Sequence, residues 1–336
     1  MRKRRDCLLA ALACAVTCGV APAQTTFEHK ALTILVGSAP GGGYDTYSRM
    51  LARHIGRQLP GQPSVIVQNL PGASSLKAVQ SLDVNAPKDG SVIAAFNPGV
   101  ITESLLYPDK IRLRFSDVAW VGSITRDLRA CYAWATTGIR TWEDLKRRRQ
   151  FNMGAPAIGS STYINAAVLK NLFGIAVHQV TGYAGSAQAR LAIERGELDG
   201  DCGAWSSIPP DWIGNGRINP VVSFAPVPIP GLAADVPFVG DLARSREDKD
   251  LLDVLISPDA LGRPFVASKQ VPADRLALIR AAFDRTVRDP QFLAEAAKLD
   301  IPVSDPIGGA EAEQIIASIY AASPALIARA REIVGR

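Results

Sequence analysis

Short apolar runs alternate along the chain with stretches whose apolar residues recur every three or four positions. That alternation predicts strands and amphipathic helices in α/β layers. Residues 32–36, Leu-Thr-Ile-Leu-Val, predict a first strand. Gly41, Gly42 and Gly43 then turn the chain into a helix over 44–59, where Tyr44, Tyr47, Leu51, Ile55 and Leu59 share one face. Pro60 and Gly61 stop it. Strands are predicted at 65–67, 92–96 and 118–124, with a helix near 75–82 and the turn Asn97-Pro98-Gly99 closing the third strand.

A second set begins near Cys131, with a strand over 131–135. Thr141 reads as an N-cap with Asp144 three positions on, a near capping box. Further strands are predicted at 151–153, 177–181, 198–202, 219–224 and 265–267. Helices are predicted over 162–172, 186–195, 249–256, 272–287, 290–299 and 311–331. No fixed short repeat is visible.

Length and composition narrow this picture. A chain of 336 residues exceeds the usual single domain, so two lobes are expected. With 47% hydrophobic and 21% charged residues, enough apolar surface exists to offset the entropy of ordering. The first residues carry much of the net charge of +5. Arg2, Lys3, Arg4 and Arg5 precede an apolar run over 7–20 and the small-x-small site Ala21-Pro22-Ala23. This is the pattern of a secretory signal peptide, cleaved after Ala23. Cleavage removes four bases and one acid and leaves 33 bases and 31 acids, no footprint for nucleic acid. The basic cluster at 146–149 reads as a solvated helix end.

Two cysteines, Cys131 and Cys202, survive processing. In an oxidising compartment they permit one disulfide; the alternative is two buried apolar thiols. His29, His54 and His178 lie in no metal-ligand spacing, so neither a metal nor a cofactor is expected.

Two loops carry the candidate chemistry. The first comprises Ser38, Ala39, Pro40, Gly41, Gly42, Gly43, Tyr44 and Asp45. A strand feeding three glycines and a helix start offers free backbone N–H groups to an anion. Asp45 is also a plain first-turn carboxylate that complements the helix dipole. The second loop runs from Gly154 through Ala157, Ile158, Gly159, Ser160 and Ser161. It has Walker spacing, but Ser160 stands where a phosphate-binding Lys belongs. No Gly-x-Ser-x-Gly nucleophile elbow occurs. Each loop alone also reads as an ordinary β–α turn. Facing each other across a cleft, the two would grip a small carboxylate through backbone amides, with no Arg required.

Several motifs carry a family resemblance. They are the run 33–36, Ala39-Pro40-Gly41-Gly42-Gly43-x-Asp45, Val65-x-Val67-x-Asn69-x-Pro71-Gly72-Ala73, Pro87-Lys88-Asp89-Gly90, Gly182-Tyr183-Ala184-Gly185 and Asp235-Val236-Pro237. Together they resemble the substrate-binding proteins of tripartite tricarboxylate transporters, the Bug receptors, over nearly the whole mature chain. The resemblance implies an α/β, two-lobed type II periplasmic binding protein fold, each lobe a mixed sheet flanked by helices. Two crossing strands, near 123–129 and 221–224, would hinge it. It implies a signal peptide over 1–23, lobe one over 24–127 and 222–336, and lobe two over 128–221. It further implies a periplasmic, non-enzymatic receptor that closes over a small carboxylate and delivers it to a large and a small membrane subunit. A monomer is expected, since both lobe tips must reach the membrane partner.

The family's ligand contacts map onto 39–45, the 154–161 loop and the turn of Tyr183, Ala184, Gly185 and Ser186. Asn97 joins the candidate set, and Trp205 with Tyr44 offers an aromatic wall. Departures from the family fall in lobe two: Tyr163 where His is frequent, Gln179-Val180-Thr181-Gly182 before Tyr183, and Gly200-Asp201-Cys202-Gly203 where an apolar run is commoner. The implied fold sets Cys131 and Cys202 on neighbouring strands, hence the expectation of a Cys131–Cys202 disulfide. Two other readings remain: a secreted enzyme using Asp45 or Asp201 with Tyr183, and a receptor presenting its ligand to a sensor kinase.

Overall fold

The computed structural model describes residues 30–335, so the signal-peptide reading and its cleavage site lie outside the described residues. In chain order the elements are β1 (Leu32–Val36), α1 (Gly43–Ile55), β2 (Val65–Asn69), α2 (Leu76–Val84), β3 (Val92–Ala95), α3 (Gly99–Leu106) and β4 (Val118–Ser123). Then follow β5 (Arg129–Trp134), α4 (Trp142–Arg147), β6 (Phe151–Ala155), α5 (Ser161–Asn171), β7 (Val177–Thr181), α6 (Ser186–Glu194), β8 (Gly200–Ala204), α7 (Pro210–Gly214) and β9 (Ile218–Ser223). The chain ends with α8 (Arg246–Ile256), β10 (Pro264–Ser268), α9 (Ala273–Thr286), α10 (Pro290–Lys298), β11 (Ile307–Gly308), α11 (Gly309–Tyr320) and α12 (Pro324–Val334).

These strands form two mixed sheets, ordered β11-β4-β10-β3-β1-β2 and β7-β6-β8-β5-β9. In the first, β1 runs parallel to β2 and β3, while β10 is antiparallel to β3 and β4. In the second, β6 runs parallel to β7 and β8, while β5 is antiparallel to β8 and β9. β1 reads as an apolar run interrupted only by Thr33 because both faces are covered. Leu32, Ile34 and Val36 meet α1, α9 and α10 in one core, and Leu35 meets α2, α3 and α11 in another. β2 closes that sheet and leaves Ile66 53% exposed, as an edge strand facing water does. The second sheet is covered by α5, α8 and α12 on one face and by α6 and α7 on the other.

Cys131 and Cys202 face each other in the β5–β8 ladder and are joined as a disulfide across 71 residues of sequence. In the chain-entropy account a closure of that length stabilises by about 4 kcal/mol. The capping box of α4 is formed: Thr141 Oγ1 accepts from the Asp144 N–H, and Asp144 Oδ2 accepts from the Thr141 N–H.

Two readings need correction. The helix expected over 311–331 is two helices, α11 and α12. Pro324 cannot continue a helix and sits instead in the first turn of α12, which Ser323 caps by accepting from the Leu326 N–H. The turn Asn97-Pro98-Gly99 leads directly into α3, where the sequence predicts no element. All eight residues of α3 are buried, so no polar face marks it as a helix.

Candidate functional site

A cavity of about 360 Å³ lies between the two sheets, within the range of small-molecule sites. It is walled by the loops at the carboxyl ends of β1, β3, β6 and β7 and by residues of β5 and β8. That is the usual place for a ligand beside parallel strands.

Three helices begin at this cavity, and they begin differently. Gly42 is the N-cap of α1 and supplies no side chain to its first amides. Gly42, Gly43 and Tyr44 all line the cavity. The first N–H groups of a helix have no intrahelical acceptor and carry its positive dipole end. Gly185 opens α6 the same way, without a side-chain cap, and Ala184, Gly185 and Ser186 line the opposite wall. The two starts meet across the gap: the Ala39 N–H donates to the Ala184 carbonyl at 3.4 Å. By contrast, α5 caps itself. Ser160 Oγ accepts from the Tyr163 N–H, and Asn97 Oδ1 accepts from both the N–H and the hydroxyl of Ser161.

A buried charged cluster borders the cavity. Arg129 donates to Asp127 at 2.6 Å, to Thr162 Oγ1 at 2.9 Å and to the Cys202 carbonyl at 3.0 Å, and lies 3.7 Å from Asp259. Arg263 donates to Ser206 and Ser207, which follow β8 of the second sheet, approaches Asp127 at 3.5 Å, and lies over the rings of Tyr44 and Tyr47. Arg129, Arg263 and Arg190 are all on the cavity wall. Burial pushes the Asp259 carboxyl up, partly offset by Arg129. Burial likewise pushes the Asp201 carboxyl up to about 6, against the pull of Arg129, the Cys202 N–H and Arg190. Burial raises the Tyr44 hydroxyl as well.

Of the residues expected from sequence, Gly42, Gly43, Tyr44, Asn97, Ala157, Ser160, Tyr183, Ala184, Gly185 and Ser186 are brought together on this wall. The others are turned elsewhere, each for a local reason. Ala39 is buried by its bond to Ala184, and Pro40 and Gly41 are exposed at the rim. Asp45 accepts from the Gly41 N–H, Arg49 and Asn69. Burial acts to raise its carboxyl, but those three bonds outweigh it and hold it low. Ile158 is 43% exposed and gives its carbonyl to Ser74 Oγ, while Gly159 lies against Glu103 of α3. Ser161 is buried and donates to Asp259 at 2.7 Å. Trp205 packs near Ala225 and donates to the Pro230 carbonyl, so it forms no wall.

Sequence reasoning missed the arginines, having taken backbone amides as sufficient. One signal was available: Arg129 and Arg263 each adjoin or open an apolar strand, an expensive place for a charge without a purpose.

The fold is that of a two-lobed type II periplasmic binding protein. The chain matches the periplasmic binding protein BugD with a TM-score of 0.72 at 17% identity, over 91% of this chain and 98% of that one. It matches MatC from Rhodopseudomonas palustris with bound malate at a TM-score of 0.71 and 18% identity, over 91% of this chain and 99% of that one. A UPF0065 protein of Agrobacterium vitis is 27% identical over 188 residues, 54% of this chain and 53% of the relative. The chain is thus similar in sequence to UPF0065 proteins over about half its length and shares the fold of BugD. It spans about half the length of the curated relatives it matches. No protein-family model matches the chain.

Proposed function

We propose that the protein is a periplasmic receptor that closes two lobes on a small carboxylate and delivers it to the membrane subunits of a tripartite transporter. One observation carries this reading: α1 and α6 open on a single cavity from opposite sides, neither with a side-chain cap. Uncapped amides at a positive dipole end are suited to an anion, and they hold it without a dedicated charged side chain. Malate in MatC is a ligand of the same class. Residues 24–127 and 222–336 would form one lobe and 128–221 the other, with the first 23 residues removed on export.

Closure follows from the contacts between lobes. Ser74 to Ile158, Ala39 to Ala184 and Arg263 to Ser207 bridge the cleft, and opening would have to break each of them. A ligand touching both walls binds the closed state better and shifts the equilibrium towards it.

A thermal-shift screen tests this against carboxylates, amines and sugars. A ligand at a hundred times its Kd stabilises the native state by about 2.7 kcal/mol. A raised Tm with carboxylates alone supports the reading. A raised Tm with amines or sugars and none with any carboxylate overturns it.

A further inference from the structure

One wall residue has no part in gripping a carboxylate. Asp201 lies on β8 directly opposite Tyr132 of β5 and is 5% exposed. It lines the cavity with Tyr132, Tyr183, Ala189 and Ile208, under α6. Its Oδ1 accepts the Cys202 N–H at 2.7 Å, and its Oδ2 lies over Gly203, whose missing side chain leaves that oxygen its space.

The neighbouring acids differ. Asp127 is ion-paired to Arg129 and Arg263, and Asp259 lies 3.7 Å from Arg129. Among the described residues Asp201 has no ion-pair partner within 4 Å; Arg129 and Arg190 act on it only from farther away. The terminal nitrogens of Arg129 are bonded to Asp127, Thr162 and the Cys202 carbonyl. A buried carboxylate without a close cation is costly, and a cation brought by the ligand would relieve it.

We infer that Asp201 selects carboxylates bearing an ammonium group, so that the receptor takes an amino acid in preference to a dicarboxylate. This rests on the carboxylate reading above. The amides at the starts of α1 and α6 hold the carboxylate, and Asp201 receives the ammonium at the other end of the cavity. A second ligand carboxylate would instead face Asp201, and like charges in a buried site repel strongly. Selectivity then comes as much from rejection as from attraction.

Isothermal titration of the purified protein at pH 8 tests this with matched probes of three to six carbons: plain alkanoates, ω-hydroxy acids, dicarboxylates, and α- and ω-amino acids. That pH lies above the value of about 6 to which burial raises the Asp201 carboxyl. The best amino acid is expected to bind at least ten-fold more tightly than the dicarboxylate and the alkanoate of equal length. Asp201→Asn should cut that preference by ten-fold or more and improve dicarboxylate binding. A dicarboxylate, alkanoate or hydroxy acid binding as tightly as the amino acid in the unaltered protein overturns the inference, with no variant needed. Failure of every probe overturns the carboxylate reading, and this inference with it.

Discussion

The two walls of the cavity are made of different material. The first sheet's side contributes mostly backbone and small residues, Gly37, Ser38, Gly42, Gly43, Ser74 and Ser75, beside Tyr44, Asn97 and the already bonded Arg263. Asp45, in the first turn of α1, is tied back by Arg49 and Asn69. The second sheet contributes side chains with chemistry of their own, Tyr132, Tyr183, Arg190 and Asp201. A wall of amides accepts any carboxylate, because every chain offers the same N–H groups. A wall of side chains discriminates, because each group wants one partner. The sequence departs from the pattern of the receptors it resembles on the second wall, which fits a shared grip and a private reader.

The largest expected effect comes from the charged cluster that both walls share. Arg129→Met leaves Asp127 buried with only the 3.5 Å approach of Arg263. Removing one partner of a buried pair costs about 3–5 kcal/mol. Urea unfolding should register that loss; an unchanged midpoint would show that the pair contributes nothing.

Next comes a pH effect on the side-chain wall. Burial raises the folded-state pKa of Asp201 to about 6 and raises that of Asp259. Both sit above the unfolded carboxylate value of about 3.9. Their stabilising contribution is complete below about pH 4 and is lost as pH rises through about 6. Carboxylates held low, such as Asp45 and Asp89, act in the opposite sense and at lower pH. The Tm of the ligand-free protein should fall from pH 5 to 7, and Asp201→Asn should flatten that slope. A Tm that climbs over this interval would contradict the assignment.

The backbone wall gives a smaller and more selective effect. A Cβ on Gly43 would stand 2.5 Å from Ser207 Oγ and 3.1 Å from Arg263. Opening the lobes relieves that clash, so Gly43→Ala should weaken carboxylate binding by roughly ten-fold while barely moving the Tm of the free protein. A large Tm loss with unchanged affinity would reverse the assignment of Gly43 to closure. The smallest change lies away from both walls. Thr141→Ala removes half of the α4 capping box and should cost about 1 kcal/mol with binding intact. An altered affinity there would mean that α4 communicates with the cavity.

The backbone wall was legible in sequence, and the side-chain wall was only partly so. The strand into Gly41-Gly42-Gly43 announces a helix start with bare amides, and Gly42, Gly43 and Tyr44 are on the cavity. Asp201 stood out as a departure, but nothing local says that it lacks an ion pair. That depends on where Arg129 points, which is fixed by contacts with Asp127, Thr162 and Cys202. The second Gly/Ser loop misled for a related reason. Ser160 and Ser161 look free in sequence, but α5 and Asn97 absorb them. The strands were readable because they are apolar runs bounded by glycine and proline. α3 was not, because a helix buried all round shows no period. The break between α11 and α12 was passed over because apolar spacing continues across it, although Pro324 marks it.

The most direct test is a crystal structure of the protein with the carboxylate that raises its Tm most. Backbone capture predicts carboxylate oxygens about 2.7–3.2 Å from main-chain N–H groups at Gly43 or Tyr44 and at Ser186. A carboxylate seated only on side chains, or outside this cavity, would contradict it.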